Sequence, residues 1–360
     1  MLIRKVMPAL SANTLQNFFR GCSLLEVFVL EQPTHRISNA CINVLFDSCR
    51  HLTLLGLYEG TSNELPVPLL VDDEPVLYAP YPTLARFTLE GPVLSDRGLR
   101  DILTYCSSLK TVELTDCNYV TADTLMRLGL CSSLEGLTLC RSGLMTSAAW
   151  GAVFQGCQLL KELRYTAFSI NDLVEGFDEE ELLLPLAADA RPHTLSKLVL
   201  EGNGIVDTVL RAIFTHCTSL KDVDLSSCCQ VTDDTMIALS RCCHKLVSVS
   251  LYDCVKLTPA CIVALASHCT SLTDLYLRRI PVNDEVLLQL SLNCPYMHRI
   301  ELQYCKSIHT ITEVGIIAVA ERCEQLRHLI ARGCNIQLTP TIQLMNQETL
   351  YRNIEVKITD

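Results

Sequence analysis

Residues 217–243 read CTSLKDVDLSSCCQVTDDTMIALSRCC, and this stretch decides the fold. Counted from Cys217, apolar residues stand at offsets three, six and eight, as Leu220, Val223 and Leu225, and a second cysteine follows at offset eleven. Offsets six and eight are two apart, which is the periodicity of a β-strand. The first half of the stretch therefore predicts a short strand.

The second half of the stretch predicts a helix. It opens with Val231-Thr232, and a threonine hydroxyl suits a helix N-cap. The apolar residues that follow, Met236 and Leu239, have helical spacing. Related apolar–hydroxyl pairs stand at Leu94-Ser95, Val120-Thr121, Leu257-Thr258 and Ile311-Thr312. Each unit is therefore predicted to be a strand followed by a helix.

The same phase recurs along the chain, commonly every 25 or 26 residues. Ten unit starts are the cysteines Cys22, Cys49, Cys106, Cys131, Cys157, Cys217, Cys243, Cys269, Cys294 and Cys323. Two more starts lack the cysteine, namely Tyr81 before Leu84 and Pro192 before Leu195. The sequence therefore predicts about twelve repeats.

This pattern resembles the cysteine-containing leucine-rich repeats of F-box/leucine-rich-repeat proteins, and the resemblance covers nearly the whole chain. It implies an α/β fold, a curved leucine-rich-repeat solenoid or horseshoe, with a parallel β-sheet on the concave face and helices on the convex face. Curvature also follows from geometry, because parallel strands lie about 4.8 Å apart whereas helices are about 10 Å across.

Two functions from different classes follow. In the family that the chain resembles, the repeats form a substrate-binding horseshoe attached to an F-box, which joins a ubiquitin ligase. No F-box-like segment is visible in the 360 residues. We therefore expect a non-catalytic scaffold or adaptor subunit of a larger intracellular assembly, with a substrate-recognition subunit of an SCF-type ubiquitin ligase as the alternative.

We expect one solenoid over residues 1–360, with acidic insertions at about 58–80 and 169–191 and a closing segment at 346–360. Together the two insertions hold twelve acidic residues and one arginine. Their net charge of −11 therefore equals the formal charge of the whole chain. The insertions are either solvated loops or a docking element for a basic partner. The leucines within 182–186 favour the docking element. Residues 2–7 supply a first strand, and another chain or further residues would cover that edge.

Composition excludes several classes of function. The 20 cysteines in a chain with ample apolar residues indicate buried thiols in a reducing compartment. No stretch is apolar for long enough to span a membrane, and we expect an intracellular, most simply cytoplasmic, protein. A nuclear location stays open. A mitochondrial location also stays open, because the basic residues Arg4, Lys5 and Arg20 stand near the start. No enzyme motif or zinc spacing is found, so we expect no enzymatic activity, cofactor, metal or small-molecule substrate.

The expected partners are other proteins, contacted through the strand side chains at offsets five, seven and nine, which face the concave side. A pI of about 5.3 argues against nucleic acid. Tyrosine and arginine are typical of binding hot spots. The candidate partner-binding residues are Tyr252, Tyr276, Arg278, Arg299, Tyr304 and Arg332 in the C-terminal units, and Glu113, Glu162, Glu201, Asp222 and Asp224 in the middle units.

Overall fold

A computed structural model describes residues 2–3, 12–31, 37–58, 75–77, 79–142, 146–166, 194–202, 207–305, 311–334, 336 and 355–359. The chain forms two compact units. Unit 1 comprises Met1–Phe168 with Glu181–Leu186, and unit 2 comprises Ser169–Glu180 with Ala187–Asp360. A single solenoid over residues 1–360 stays a prediction.

In unit 1, strands alternate with helices. The strands are β1 (Leu2–Ile3), β2 (Val27–Glu31), β3 (Leu54–Tyr58), β4 (Arg86–Glu90), β5 (Thr111–Thr115), β6 (Gly136–Cys140) and β7 (Glu162–Thr166). The helices are α1 (Ala12–Arg20), α2 (Asn39–Ser48), α3 (Asp96–Tyr105), α4 (Ala122–Met126), which continues as a 3₁₀ turn (Arg127–Leu130), and α5 (Ser147–Gly156).

Unit 2 repeats the same order. Its strands are β8 (Lys197–Glu201), β9 (Asp222–Asp224), β10 (Ser248–Tyr252), β11 (Asp274–Arg278), β12 (Arg299–Gln303), β13 (His328–Arg332) and β14 (Glu355–Thr359). Its helices are α6 (Asp207–His216), α7 (Asp233–Cys242), α8 (Pro259–His268), α9 (Asp284–Asn293) and α10 (Glu313–Arg322).

Within each unit, successive strands pair in parallel and keep the repeat register. Val249 lies beside Leu275, which lies beside Ile300 and then Leu329. Every one of the twelve predicted units has its strand, β2 to β13. Strands also stand at both predicted flanks, β1 within residues 2–7 and β14 within 346–360.

The core lies between the sheet and the helices, and the ladder residues fill it. Leu220, Leu225 and Leu251 are fully buried, as are Met236 and Leu239 on the facing side of α7. The predicted inward direction of offsets three, six and eight is confirmed. Alternate burial along β5, β10, β11 and β12 shows the period of two from which the strands were predicted.

The cysteines do more than fill space, because many thiols donate to a carbonyl of the preceding repeat. Cys49 Sγ lies 3.2 Å from the carbonyl oxygen of Cys22, and Cys228 Sγ lies 2.7 Å from that of Leu200. Tyr81 takes the place of the cysteine in its unit, and its hydroxyl donates to the carbonyl of Cys49. These buried side chains thus satisfy carbonyl groups that stacking would otherwise bury unpaired.

The predicted N-caps also hold, with one difference. Ser95, Thr121, Thr258 and Thr312 accept from a backbone amide of the helix that each begins. Thr232 stands at the N-cap position without that bond, although its hydroxyl donates to Asp207 Oδ2 of the preceding helix at 2.5 Å, as the capping threonines Thr258 and Thr312 donate to Asp233 and Asp284.

Some predictions fall outside the described residues. These are the acidic insertions over most of 58–80 and 169–191, the unit start Pro192, and residues 346–354 of the closing segment.

Candidate functional site

The strands end at a turn that presents side chains outward at offset ten. In all nine repeats where this position is described, its residue has positive φ. Its N–H continues the ladder, as when Asp253 N donates to Arg278 O at 3.0 Å and Arg279 N to Gln303 O at 2.9 Å. Gly91, Gly202 and Gly333 occupy this position in three repeats, whereas others place Asp116, Arg141, Ser227, Asp253, Arg279 and Tyr304 there. A non-glycine residue costs about 1 to 2 kcal/mol in this conformation.

The predicted C-terminal site residues lie together on the polar face of unit 2, meaning the sheet face opposite the helices. Register places Tyr252 beside Arg278, then Gln303, then Arg332. Tyr304 is half exposed at 50% and Arg332 is exposed, while the other predicted residues on this face are intermediate. All of these side chains reach the surface, as offsets five, seven, nine and ten require.

Aromatic and cationic side chains contact each other across these strands. The rings of Tyr252 and Tyr276 meet edge to face, with centroids 6.2 Å apart. The guanidinium of Arg278 lies over the ring of Tyr304, 5.8 Å from its centroid. Such contacts hold long side chains in defined positions before any partner arrives.

Glu301 lies among these residues, and the sequence reasoning missed it. The Tyr252 hydroxyl donates to its carboxylate, Gln303 Nε2 lies 2.5 Å from Oε1, and Arg299 Nη1 lies 3.7 Å from Oε2. Glu301 stands at offset seven of its unit, a position that the sequence rule already assigned to this face. The sequence prediction for the C-terminal units considered only tyrosine and arginine, and so it omitted Glu301.

The tyrosine hydroxyls are held in the protonated, donating form. Burial, the nearby Glu301 carboxylate and the hydrogen bond to it raise the pKa of Tyr252. Burial and the charge of Asp274 raise the pKa of Tyr276, while Arg299 works in the opposite direction. Both hydroxyls therefore remain protonated at neutral pH, and that of Tyr252 is engaged by Glu301.

A second group, here called the strand-end cluster, consists of Asp253, Arg278, Arg279 and Tyr304. Asp253 lies between two arginines, with Oδ2 3.7 Å from Arg278 Nε and Oδ1 3.4 Å from Arg279 Nη1. Among the described residues, neither Arg278 Nε nor Asp253 Oδ1 has a hydrogen-bond partner. One carboxylate is thus shared by two guanidinium groups at distances longer than a good hydrogen bond.

The predicted acidic residues do not all join this surface. Asp222 and Asp224 lie on β9 of unit 2, in register with Ser248 and Ser250, and Asp224 Oδ1 accepts from Ser226 N at 2.9 Å. Glu201 lies on β8 of unit 2. Glu113 and Glu162 lie on β5 and β7 of unit 1. The site residues therefore divide between the two units.

Neither a metal site nor a membrane-spanning helix is found in the part of the chain that the structure describes. No group of three or more His, Cys, Asp or Glu side chains there is arranged to hold a metal ion. None of the helices described has the length and apolar character needed to cross a bilayer.

Comparison with solved structures supports the fold. TLR13, a leucine-rich-repeat protein solved in complex with ssRNA13, is similar over 96% of this chain at 12% identity, with a TM-score of 0.50. This chain spans 50% of the TLR13 chain. The yeast Rad7 and Elc1 complex gives a match over 61% of this chain and 76% of that chain, at 19% identity and a TM-score of 0.32.

No family model matches the chain, and no curated protein matches it. The likeness to TLR13, together with the parallel strands and helices of each unit, confirms the predicted fold class, α/β leucine-rich repeats with a parallel sheet and helices packed against it.

Proposed function

We propose that the chain is a protein-binding scaffold or adaptor subunit and that the polar face of unit 2 is its working surface. The observation that carries this proposal is the contact network joining Tyr252, Tyr276, Arg278 and Tyr304 across three strands. Tyrosine and arginine bring large contact area with directional donors, and such residues carry much of the energy of protein interfaces.

The network suits recognition better than stability. The partly exposed ion pairs of this face, at 3.4 to 3.7 Å, are longer than good hydrogen bonds, so each stabilises the fold only a little. The tyrosines stand outside the apolar ladder that holds the repeats together. Side chains positioned by one another, but not required by the core, are pre-organised for a partner.

The test is affinity purification with mass spectrometry from the source cells, comparing the native chain with Tyr276→Ala/Arg299→Ala. We expect this double variant to fold normally and to lose partners, with binding weakened by at least about 1 to 2 kcal/mol. The matched control is Glu113→Ala/Glu162→Ala, which changes the polar face of unit 1.

Loss of partners in the Glu113/Glu162 variant but not in the Tyr276/Arg299 variant would move the working surface to unit 1. The same experiment weighs the second candidate, a substrate-recognition subunit of an SCF-type ubiquitin ligase, which rests on the resemblance of the cysteine-containing repeats. Recovery of the ligase's linker protein with the native chain would favour that candidate.

A further inference from the structure

Three neighbouring repeats place costly residues at the turn after the strand. Asp253, Arg279 and Tyr304 all have positive φ, at 60°, 57° and 52°. Glycine adopts this conformation freely, and the chain uses it at the same position in Gly91, Gly202 and Gly333. The fold therefore accepts glycine here, so the turn itself does not require the side chains of Asp253, Arg279 and Tyr304.

The turn of the next repeat leaves space for one of these side chains, Tyr304. A Cβ built on Gly333 would lie 2.5 Å from Cδ1 of the Tyr304 ring. Glycine at this turn thus leaves room for the ring, which lies over Arg278. Two adjacent repeats are fitted to each other at this edge.

The charges at this edge are unbalanced. From β10 to β13, offsets nine and ten carry Arg278, Arg279 and Arg332 against a single carboxylate, Asp253. The equivalent turn in unit 1 is different, because Arg141 binds Asp116 through two short contacts of 2.6 and 2.7 Å. The arginines of unit 2 share their carboxylate at the longer distances of 3.4 and 3.7 Å, and their side chains are 36% (Arg278) and 59% (Arg279) exposed.

We infer that the strand-end cluster, with Arg332, is a docking site for an acidic peptide segment of a partner protein, whose carboxylates bind Arg278, Arg279 and Arg332 beside the Tyr304 ring. The guanidinium group of arginine binds a carboxylate through two parallel hydrogen bonds. It therefore fixes the orientation of the carboxylate as well as attracting its charge. This inference rests on the proposed protein-binding function and specifies the chemistry of the partner.

A nucleic acid fits this surface less well. The same face carries Asp222, Asp224, Asp274 and Glu301 a few residues away. Nucleic acids bring a negative charge with every nucleotide, so these acids would repel a strand lying on the sheet. A peptide carries carboxylates only at chosen positions and can place them on the three arginines alone.

The test uses fluorescence anisotropy with a fluorescein-labelled peptide of alternating glutamate and alanine, the same peptide with glutamine for glutamate, and an oligouridine RNA. The full chain is compared with Arg279→Gly, Tyr304→Gly and Arg332→Gln. The matched control is Arg141→Gly, which relieves the same backbone conformation in unit 1.

We expect the glutamate peptide to bind, the glutamine peptide not to bind, and all three unit 2 variants to raise the Kd about tenfold. Arg279→Gly and Tyr304→Gly should keep or raise Tm, because glycine relieves the turn, and Arg141→Gly should bind as the native chain does. A lowered Tm in both glycine variants of unit 2 would show a structural role and overturn the inference.

Three binding results would also overturn it: equal binding of the two peptides, tighter binding of the RNA, or no binding of the glutamate peptide. Arg332→Gln lies outside the strained turn, so it tests the role of an arginine in binding without changing that backbone conformation. Partner loss in Tyr276→Ala/Arg299→Ala, combined with no binding of the glutamate peptide, would preserve the proposed function and remove only this inference.

Discussion

At the scale of single residues, position within the repeat decides what a side chain does. Leu225 directly follows β9 and Ser248 begins the neighbouring strand β10, yet Leu225 is fully buried and Ser248 is only partly covered. The difference follows from the strand period of two, which sends alternate side chains to opposite faces. The face that a side chain occupies decides whether it belongs to the core or to the surface. The same strand therefore carries both core residues and residues of the candidate binding surface.

This assignment predicts the effect of two substitutions on stability. Leu225→Ala removes a buried side chain and should lower the free energy of unfolding by about 2 to 5 kcal/mol. Ser248→Ala, on the polar face, should change it by less than about 0.5 kcal/mol. Chemical denaturation followed by circular dichroism measures both, and equal losses would contradict the inward and outward assignment.

At the scale of elements, the helices are tied to one another at their first turns. An aspartate at the start of one helix accepts from the threonine that caps the next helix. Asp207 Oδ1 lies 2.9 Å from Thr232 N and 2.6 Å from Thr235 Oγ1. Asp233 and Thr258 repeat the arrangement, with 2.9 Å to the amide, and Asp284 and Thr312 repeat it at 2.8 Å. These bonds fix the spacing of successive helices and complete their caps.

The cap bonds make stability depend on pH. Burial raises the pKa of Asp207, but donation from Thr232 and Thr235 and the charge of Arg211 outweigh burial, so the pKa is lowered overall. The unfolded pKa is about 3.9, so the unfolded chain binds the proton more readily. The stabilisation is therefore present above that value and is lost as pH falls through the lower, folded pKa.

Asp207→Asn should accordingly reduce stability at pH 7 by about 1 kcal/mol and flatten the fall of Tm with pH in the acid range. Thermal unfolding from neutral to acid pH, recorded by circular dichroism, measures both effects. Asp234→Asn is the matched control, since Asp234 is an exposed residue in the first turn of α7. An unchanged acid limb in Asp207→Asn would contradict the assigned role.

At the scale of the whole molecule, the twenty cysteines are all described, and all are free thiols. Most are buried at repeat boundaries, and burial raises the pKa of Cys131, Cys157 and Cys217 to about 12. A thiol reacts as its thiolate, so these side chains should be inert in the folded chain.

Thiol titration with Ellman's reagent should therefore give two different counts. In denaturant, all 20 cysteines should react. In the native protein, rapid reaction should be confined to the partly exposed Cys22, Cys140, Cys229 and Cys242. A denatured count well short of twenty would reveal disulfides and contradict the expected reducing compartment.

The order of residues is enough to predict the repeat and everything that follows from its phase. The strands, the helices, the N-cap positions and the buried ladder could be predicted because each depends on local periodicity, which a chain displays in its order of residues. The surface positions of Tyr252, Tyr276, Arg278 and Arg299 followed from the same phase.

Which side chains contact each other depends on the packing of the repeats. The Tyr252 hydroxyl reaches Glu301 two strands away, the Cys254 thiol donates to Leu225 O at 3.0 Å, and Tyr304 needs Gly333 in the next repeat. These partners lie about one repeat or more apart along the chain. Periodicity states which face a residue occupies, whereas the choice of neighbour depends on strand register, turn conformation and side-chain rotamer, which only the packed repeats fix.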